Sequence, residues 1–441
     1  MSNLKKIVFS LILGLFITAL AGTTKSYCEN ISLVILEQAA IKHSPNLNKF
    51  EIETKLQQER LEDQQYDFYP TLRAQGNSEY SCDLSNGWGS VVSVGDIVQS
   101  TGTKYQNSFS LRANYVLYDF GTRFQKELAS KKAVLASKSI KQAEELKLRL
   151  SVLKAYSIAM SLSREIENLA TIVNYSQELT ELTDRLLKAG KKGPIDTSRQ
   201  FVELKRRENK LSLREFELSK KLEELSFYTG KQFQNDVQFS ELPRPDLSNF
   251  LFNIEKHPGV ERYQYELSSQ QAKTAASQGE YFPKVSLYSS YLMYGSDTKD
   301  VMDSYADVSE SNFTVGVSLV IPISDALRNR HKVRQSELME RKIRSEKRTL
   351  QEQLQTEFNI SQRQYKYLLN NQKQKCTMVD ILQNELAMLS RLKKAKEIDT
   401  ETAITRSIAL LEQETALNQS IIELSHELLR LQYQMEATRH E

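Results

Sequence analysis

Apolar residues recur along this chain at alternating intervals of three and four, over stretches longer than an ordinary helix. Leu162, Ile166, Leu169 and Val173 step by four, three, four, and Tyr175, Leu179, Leu182 and Leu186 do the same. Val379, Leu382, Leu386 and Leu389 keep this spacing, as do Leu417, Ile421, Leu424, Leu428, Leu431 and Met435 and, earlier, Leu211, Leu218, Leu222 and Leu225. Set among Glu, Lys, Gln and Ser, this is a coiled-coil stripe. A solvated helix without a partner needs no such seam, so these helices pack on other helices. Glycine and proline mark their ends: neither occurs between Gly121 and Gly190, nor after Pro322 as far as Glu441. Proline breaks a helix interior and glycine weakens it, so both gaps permit very long helices. The pattern predicts long helices over 122–189 and 326–395 and shorter ones over 32–69, 196–227 and 399–431. At the helical rise the first of these is about 100 Å long.

Four stretches change to a period of two. Leu72, Ala74, Gly76, Ser78 and Tyr80 alternate with polar residues, as do Phe109, Leu111, Ala113, Tyr115 and Leu117. Val285, Leu287, Tyr291 and Met293 do so with Tyr288 and Leu292 crowding the other face, and Val315, Val317, Leu319, Ile321 and Ile323 complete the set. Strands are predicted at about 71–80, 108–118, 284–294 and 313–323. Each is about as long as a tilted strand must be to cross a bilayer. Glycine- and serine-rich loops, Ser81–Gln106 and Gly295–Ser311, join each pair. Tyr288, Tyr291, Tyr294 and Tyr305 gather round the second hairpin, and Tyr80, Tyr105, Tyr115 and Tyr118 round the first, where they suit either a membrane interface or a sheet core. A pair of soluble hairpins stays open as the alternative.

The order of elements occurs twice. One offset superimposes Pro45 on Pro258, Pro70 on Pro283, Glu53 on Glu266, Gln57 on Gln270 and Gln65 on Gln278. "DFYP" (Asp67–Pro70) and "EYFP" (Glu280–Pro283) each close a helix and open a strand. Asp119 in "VLYDFG" faces Asp325 in "PISDAL", and Asp196 in "GPIDTS" faces Asp399 in "KEIDTE". The chain therefore reads as a duplicated unit, with a first repeat over 32–230, a linker over 231–247, a second repeat over 248–435 and a tail over 436–441. Pro70 and Pro283 stop a helix and start an edge-tolerant strand. Asp119 and Asp325 can cap the helix that follows them, and Asp196 and Asp399 can do so after the helical tips. Gly190, Gly193 and Pro194 make a tight reversal at the first tip. The second tip, around Ala395, has no glycine.

Composition narrows the setting. Lys plus Arg number 59 and Asp plus Glu 56, so no strong field points to nucleic acid. The only sustained apolar run, Ile7–Ala21, is short for a span, follows Lys5 and Lys6, and ends in Ala19-Leu20-Ala21. It reads as a secretory signal peptide over 1–21, so the mature chain leaves the cytoplasm without an α-helical span. Cys28 lacks a lipobox before it, and Cys82 and Cys376 fall in segments expected to be far apart, so no structural disulfide is expected. The five histidines (His43, His257, His331, His426 and His440) are scattered. No metal-binding, cofactor-binding or phosphate-loop spacing appears, and an enzyme is the least supported class.

The "KHSP" at Lys42–Pro45, the aromatics before proline, "LYDFG", the Gly-x-x-Gly tip and the repeated order together resemble the TolC-like outer-membrane efflux protein family. The resemblance implies a mainly α protein with a transmembrane β-barrel. A homotrimer would give four strands per subunit to one twelve-stranded barrel in outer-membrane lipid, above a periplasmic tunnel of long antiparallel helices. It makes 231–247 an equatorial linker. It implies a passive duct for small molecules or proteins, served by an inner-membrane RND, ABC or MFS transporter through a periplasmic adaptor docked at Gly190, Gly193, Pro194, Asp196 and Ala395. "LYDFG" leans toward type I protein secretion. The resemblance puts an acidic pore constriction at Asp399. The family's second acid falls on Thr402 here, with Glu401 adjacent. An elongated periplasmic or surface coiled-coil scaffold without a channel is the rival. The adaptor of such a system is a weaker one, since two hairpins are seen where an adaptor has one flanked by lipoyl-like segments.

Overall fold

The structure is a computed structural model that describes residues 30–80, 93–94, 97–98, 104–234, 237–243, 252–297, 300–306, 308, 310–323, 325–394 and 399–438. The signal-peptide reading, Cys28 and Cys82 fall outside them. In chain order come β1 (Asn30–Ile31), α1 (Leu33–His43), α2 (Pro45–Tyr66), β2 (Thr71–Tyr80), β3 (Ser93–Val94), β4 (Ile97–Val98) and β5 (Tyr105–Tyr118). Then follow α3 (Thr122–Lys188), α4 (Pro194–Thr229), β6 (Gln238–Phe239), a 3-10 turn Ile254–Lys256, α5 (Pro258–Gly279) and β7 (Lys284–Asp297). The chain ends with α6 (Val301–Ala306), β8 (Glu310–Val320), α7 (Asp325–Lys394) and α8 (Thr400–Glu436). The last predicted strand lies three residues earlier than expected and leaves Pro322 outside the ladder.

Two compact units cut across the two sequence repeats. One takes the chain up to Ser44, Leu148–Ser248 and Ser361–Gln432; the other takes Pro45–Lys147, Asn249–Ile360 and Tyr433 onward. In the first unit the predicted stripes are buried in part, with Ile166, Leu182, Leu211 and Leu386 half-buried. Leu169, Ile172 and Leu179 of α3 pack with Ile404 and Ile408 of α8, and Leu218, Leu222 and Leu225 of α4 are buried as well. Here β1 and β6 form a short parallel pair. The hydroxyl of buried Tyr156 lies 2.9 Å from the Ile31 carbonyl and 2.6 Å from that of Ser240, tying the start of α1 to the linker segment. Burial pushes this phenol's pKa up. Gly230 ends α4 in the left-handed conformation, at φ 70°, and its missing Cβ leaves room for the His43 ring of α1.

In the second unit β2, β5, β7 and β8 form one antiparallel sheet in that order. The register runs from Thr71↔Asn114 to Tyr80↔Tyr105, then Tyr105↔Asp297 to Tyr118↔Val285, then Lys284↔Val320 to Tyr294↔Glu310. A bulge at Leu117 shifts the β5–β7 register between Val116 and Tyr118. Asn107, on β5, donates to the Ser304 hydroxyl and so fastens α6 to the sheet.

Candidate functional site

The sheet gives the chain its first functional surface. Alternation and register collect Leu72, Ala74, Phe109, Leu111, Ala113, Val285, Leu287, Tyr291, Phe313, Val315, Val317 and Leu319 on one face. Most of that face is open: Leu72 is 70% exposed, Phe313 67% and Val317 64%. From β2 to β8 it carries no charged side chain until Asp297, at the far end of β7. The opposite face holds Thr71, Arg73, Gln75, Asn77, Ser108, Ser110, Arg112, Asn114, Ser286 and Ser290. A water-soluble sheet hides its apolar face and wets its polar one. Among the described residues α6 lies against the Asn107–Gly295 end of the apolar face and leaves the rest of it open, and β2 and β8 each have one edge without a partner strand. Of the tyrosines that suit either a membrane interface or a sheet core, Tyr80, Tyr105, Tyr115 and Tyr291 share the apolar face. Tyr288 and Tyr294 do not; the Tyr288 ring lies over Gly316 on the polar face.

Below the sheet, the two aromatic-proline junctions have the same geometry. Phe68 and Tyr69 donate their N–H groups to Gln65 and Tyr66, at 3.1 and 3.0 Å. Tyr281 and Phe282 donate theirs to Gln278 and Gly279, both at 3.1 Å. Pro70 and Pro283 then stand immediately before β2 and β7. At the first strand exit the Asp119 carboxylate accepts the Arg123 N–H at 3.0 Å and its Nε at 2.9 Å, so it caps α3. Arg123 also reaches the carbonyls of Asp67 and Val116 and lies over the Phe68 ring, joining α2, β5 and α3. Asp325 is the first residue of α7, and its side chain lies outside what the structure describes. Phe120 is the only non-glycine among the described residues with positive φ, 53°. Its ring stacks on Phe282 at 4.8 Å and meets Tyr118 edge-on at 4.7 Å. Tyr66 and Tyr69 make a separate ring pair, 6.1 Å apart, and neither group is revealed by periodicity alone.

The helical tips lie in the first unit. Gly190, at φ 70°, turns the chain out of α3; its N–H reaches the Leu187 carbonyl, and that of Lys191 reaches Leu186, both at 2.9 Å. Gly193 is the N-cap of α4, Pro194 takes the first helical position, and Asp196 sits at N3 rather than at the cap. Its carboxylate accepts the Gly193 N–H at 3.4 Å. Asp399 is exposed and caps α8, accepting from the N–H groups of Glu401 and of Thr402. Ala395 lies outside the described residues. Glu401 is not a bare acid: Lys192 of the first tip pairs with it at 2.7 Å. That hydrogen bond is the main reason the Lys192 pKa is raised, and the charges of Asp196 and Asp399 add to it. The sequence reading missed Lys192, whose partner is remote along the chain.

A largely uncovered apolar sheet face, a sheet that cannot close by itself and long paired helices define the class of a membrane channel subunit built from several copies. The comparisons agree. Residues 36–231 match the family model described as outer membrane efflux protein. A comparison with curated proteins finds no match. The Campylobacter jejuni CmeC outer membrane channel superposes with a TM-score of 0.76 at 12% identity, covering 92% of this chain and 86% of that one. CusC, whose structures concern folding and transmembrane channel formation, gives 0.74 at 16% identity over 93% and 95%. The outer membrane protein VceC of Vibrio cholerae gives 0.73 at 14% over 92% and 95%. The resemblance to the TolC-like outer-membrane efflux proteins is therefore shown, by the family model over residues 36–231 and by fold over nearly the whole chain.

Proposed function

We propose that the protein is the outer-membrane channel-tunnel of a tripartite efflux or type I secretion system, a passive exit duct with a periplasmic helical domain. The carrying observation is the largely uncovered apolar face of an unclosed sheet, free of charge up to Asp297 at its far end. In hydrocarbon each unpaired backbone group costs several kcal/mol, so strands at the two open edges must pair with neighbouring copies. A homotrimer closes twelve strands into a barrel, with the apolar face toward lipid and the polar face lining the lumen. A coiled-coil scaffold with soluble hairpins would have no use for this arrangement. No helix among the described residues is long and apolar enough to cross a membrane.

A duct of this kind catalyses no reaction, and its driving energy comes from an inner-membrane RND, ABC or MFS transporter. Gly190, Gly193, Pro194 and Asp196 of the first tip, and Ala395 in the sequence of the second, are the docking points for the periplasmic adaptor. Asp399 adds negative charge to the entrance once copies surround an axis. Glu401 contributes less to that field than the sequence suggests, because Lys192 offsets it.

The test is fractionation followed by reconstitution. The full-length protein should partition with outer membranes, run as a heat-sensitive oligomer and open single channels in planar bilayers. A soluble monomer that leaves bilayers insulating would overturn the reading.

A further inference from the structure

Across the first two strands of the sheet, Arg73 of β2 lies directly opposite Arg112 of β5. Both are exposed on the polar face. Like charges placed opposite each other on an antiparallel pair repel and destabilise the sheet. No acid on that face relieves them: the neighbours are Thr71 and Gln75 on β2, Ser110 and Asn114 on β5, and Ser290 across from Arg112 on β7. Lys284, at the start of β7, adds a third cation to the same face, whose acids within the four strands, Glu79 of β2 and Glu310 of β8, both stand at the opposite end of the sheet. Among the described residues neither arginine makes an ion pair, although Arg123, just beyond the sheet, is fully engaged by Asp119 and two carbonyls. Water and salt screen part of this repulsion between exposed groups, and a bound anion that bridges the two would offset the rest. Two adjacent guanidinium groups offer planar, forked donors suited to carboxylate or phosphate oxygens.

We propose that Arg73 and Arg112 form an anion-binding station on the wall of the duct, and that the cargo is a class of small organic anions bearing carboxylate or phosphate groups. This rests on the channel reading, since only closure brings one pair per copy to a single level around the lumen. Rings of Arg or Lys are the arrangement by which pores bind anions. The hydroxyl- and amide-rich surroundings keep such an anion partly hydrated, so it is held and released rather than trapped.

Selectivity of the whole channel mixes this ring with the acidic entrance, so the test must be local. Inorganic tripolyphosphate, added on the loop side of channels in planar bilayers, should reduce the current through the native protein. R73Q/R112Q should need about tenfold more tripolyphosphate for the same block, and R73K/R112K should keep most of the native sensitivity. If R73Q/R112Q fails to form heat-sensitive oligomers, the single variants R73Q and R112Q carry the comparison. A native channel that tripolyphosphate does not block, or equal block in native and glutamine variants, overturns the anion station and leaves the channel intact. Purified oligomer that conducts nothing overturns the channel reading and the station with it.

Discussion

An arginine at position 315 distinguishes a wall that faces lipid from one that faces water. Val315 lies on β8 opposite Ser289, near the middle of the β7–β8 ladder, and is 57% exposed. Its neighbour Thr314, opposite Ser290, is exposed as well but projects from the polar face. Both are β-branched, at almost the same height, and neither is buried by its own chain. On a water-soluble hairpin, arginine at either site exchanges one wet side chain for another, worth about 0.5 kcal/mol or less. In a barrel the two sites part. Arginine on the lipid face near mid-bilayer costs about 2–4 kcal/mol, and a three-copy assembly bears it three times, about 6–12 kcal/mol in all. Arginine at 314 points into a wet lumen and costs little. Against a typical net stability of about 5–15 kcal/mol, Val315→Arg should abolish or severely weaken the assembled barrel, and Thr314→Arg should leave it standing. The heat-sensitive oligomer band in outer-membrane fractions reads the difference, and a urea midpoint on purified material gives its size. Equal effects of the two arginines would refute the assignment of the faces.

Three further outcomes follow from residues outside the sheet. Gly230→Ala forces a left-handed residue to carry a Cβ, which would meet His43 Nδ1 at 2.6 Å; a loss of at least about 1–2 kcal/mol should appear as a lower midpoint in helix melting. Burial pushes His257 and His426 down to about 4, and at His426 the charges of Arg430 and Lys154 add to the effect, with Glu427 4.0 Å away. Both are neutral when folded and take up protons on unfolding near 6.5, so their contribution is complete above pH 6.5 and is lost as the pH falls toward 4; His257→Gln should flatten the urea midpoint across that window. Asp399→Asn should lower cation preference in single-channel recordings, and unchanged selectivity would count against a pore role for this cap.

The helical part of the molecule is legible in the sequence because its burial is local. Leu162, Leu169, Val173 and Leu179 of α3 and Leu424, Leu428, Leu431 and Met435 of α8 lie under 10% exposure, and all were marked by spacing alone. What depends on register is less legible. The alternation of β7 is blurred by Tyr288, whose ring lies where a side chain on Gly316 would be, a fact fixed only by the Tyr288↔Gly316 pairing. β8 ends at Val320 because Lys284 is its last partner and Pro283, lacking an N–H, cannot extend the ladder. Lys192 and Glu401 stand 209 residues apart, and no window along the chain relates them. Sequence reading found the acid and missed the cation that offsets it.

The repeated glutamates and glutamines have a physical use that the alignment alone does not explain. A cavity of about 330 Å³ in the second unit is lined by Glu53 and Gln57 from α2 and by Glu266 and Gln270 from α5, the same positions of the two repeats. Ser137 of α3 and Ile343 of α7 line it too, and they are equally distant from Asp119 and Asp325. The two halves thus bring corresponding surfaces to one space, while differing inside it: Ser137 bonds to Thr54 at 2.9 Å, where Ile343 can offer no such bond. Polar residues retained at both positions around a shared void are what two copies of one helix-strand-helix unit retain when they must pack on each other. The same constraint accounts for the twin junctions. Each strand must leave its helix at the height where the other repeat's strand does, or the β5–β7 ladder that joins the repeats would lose its register.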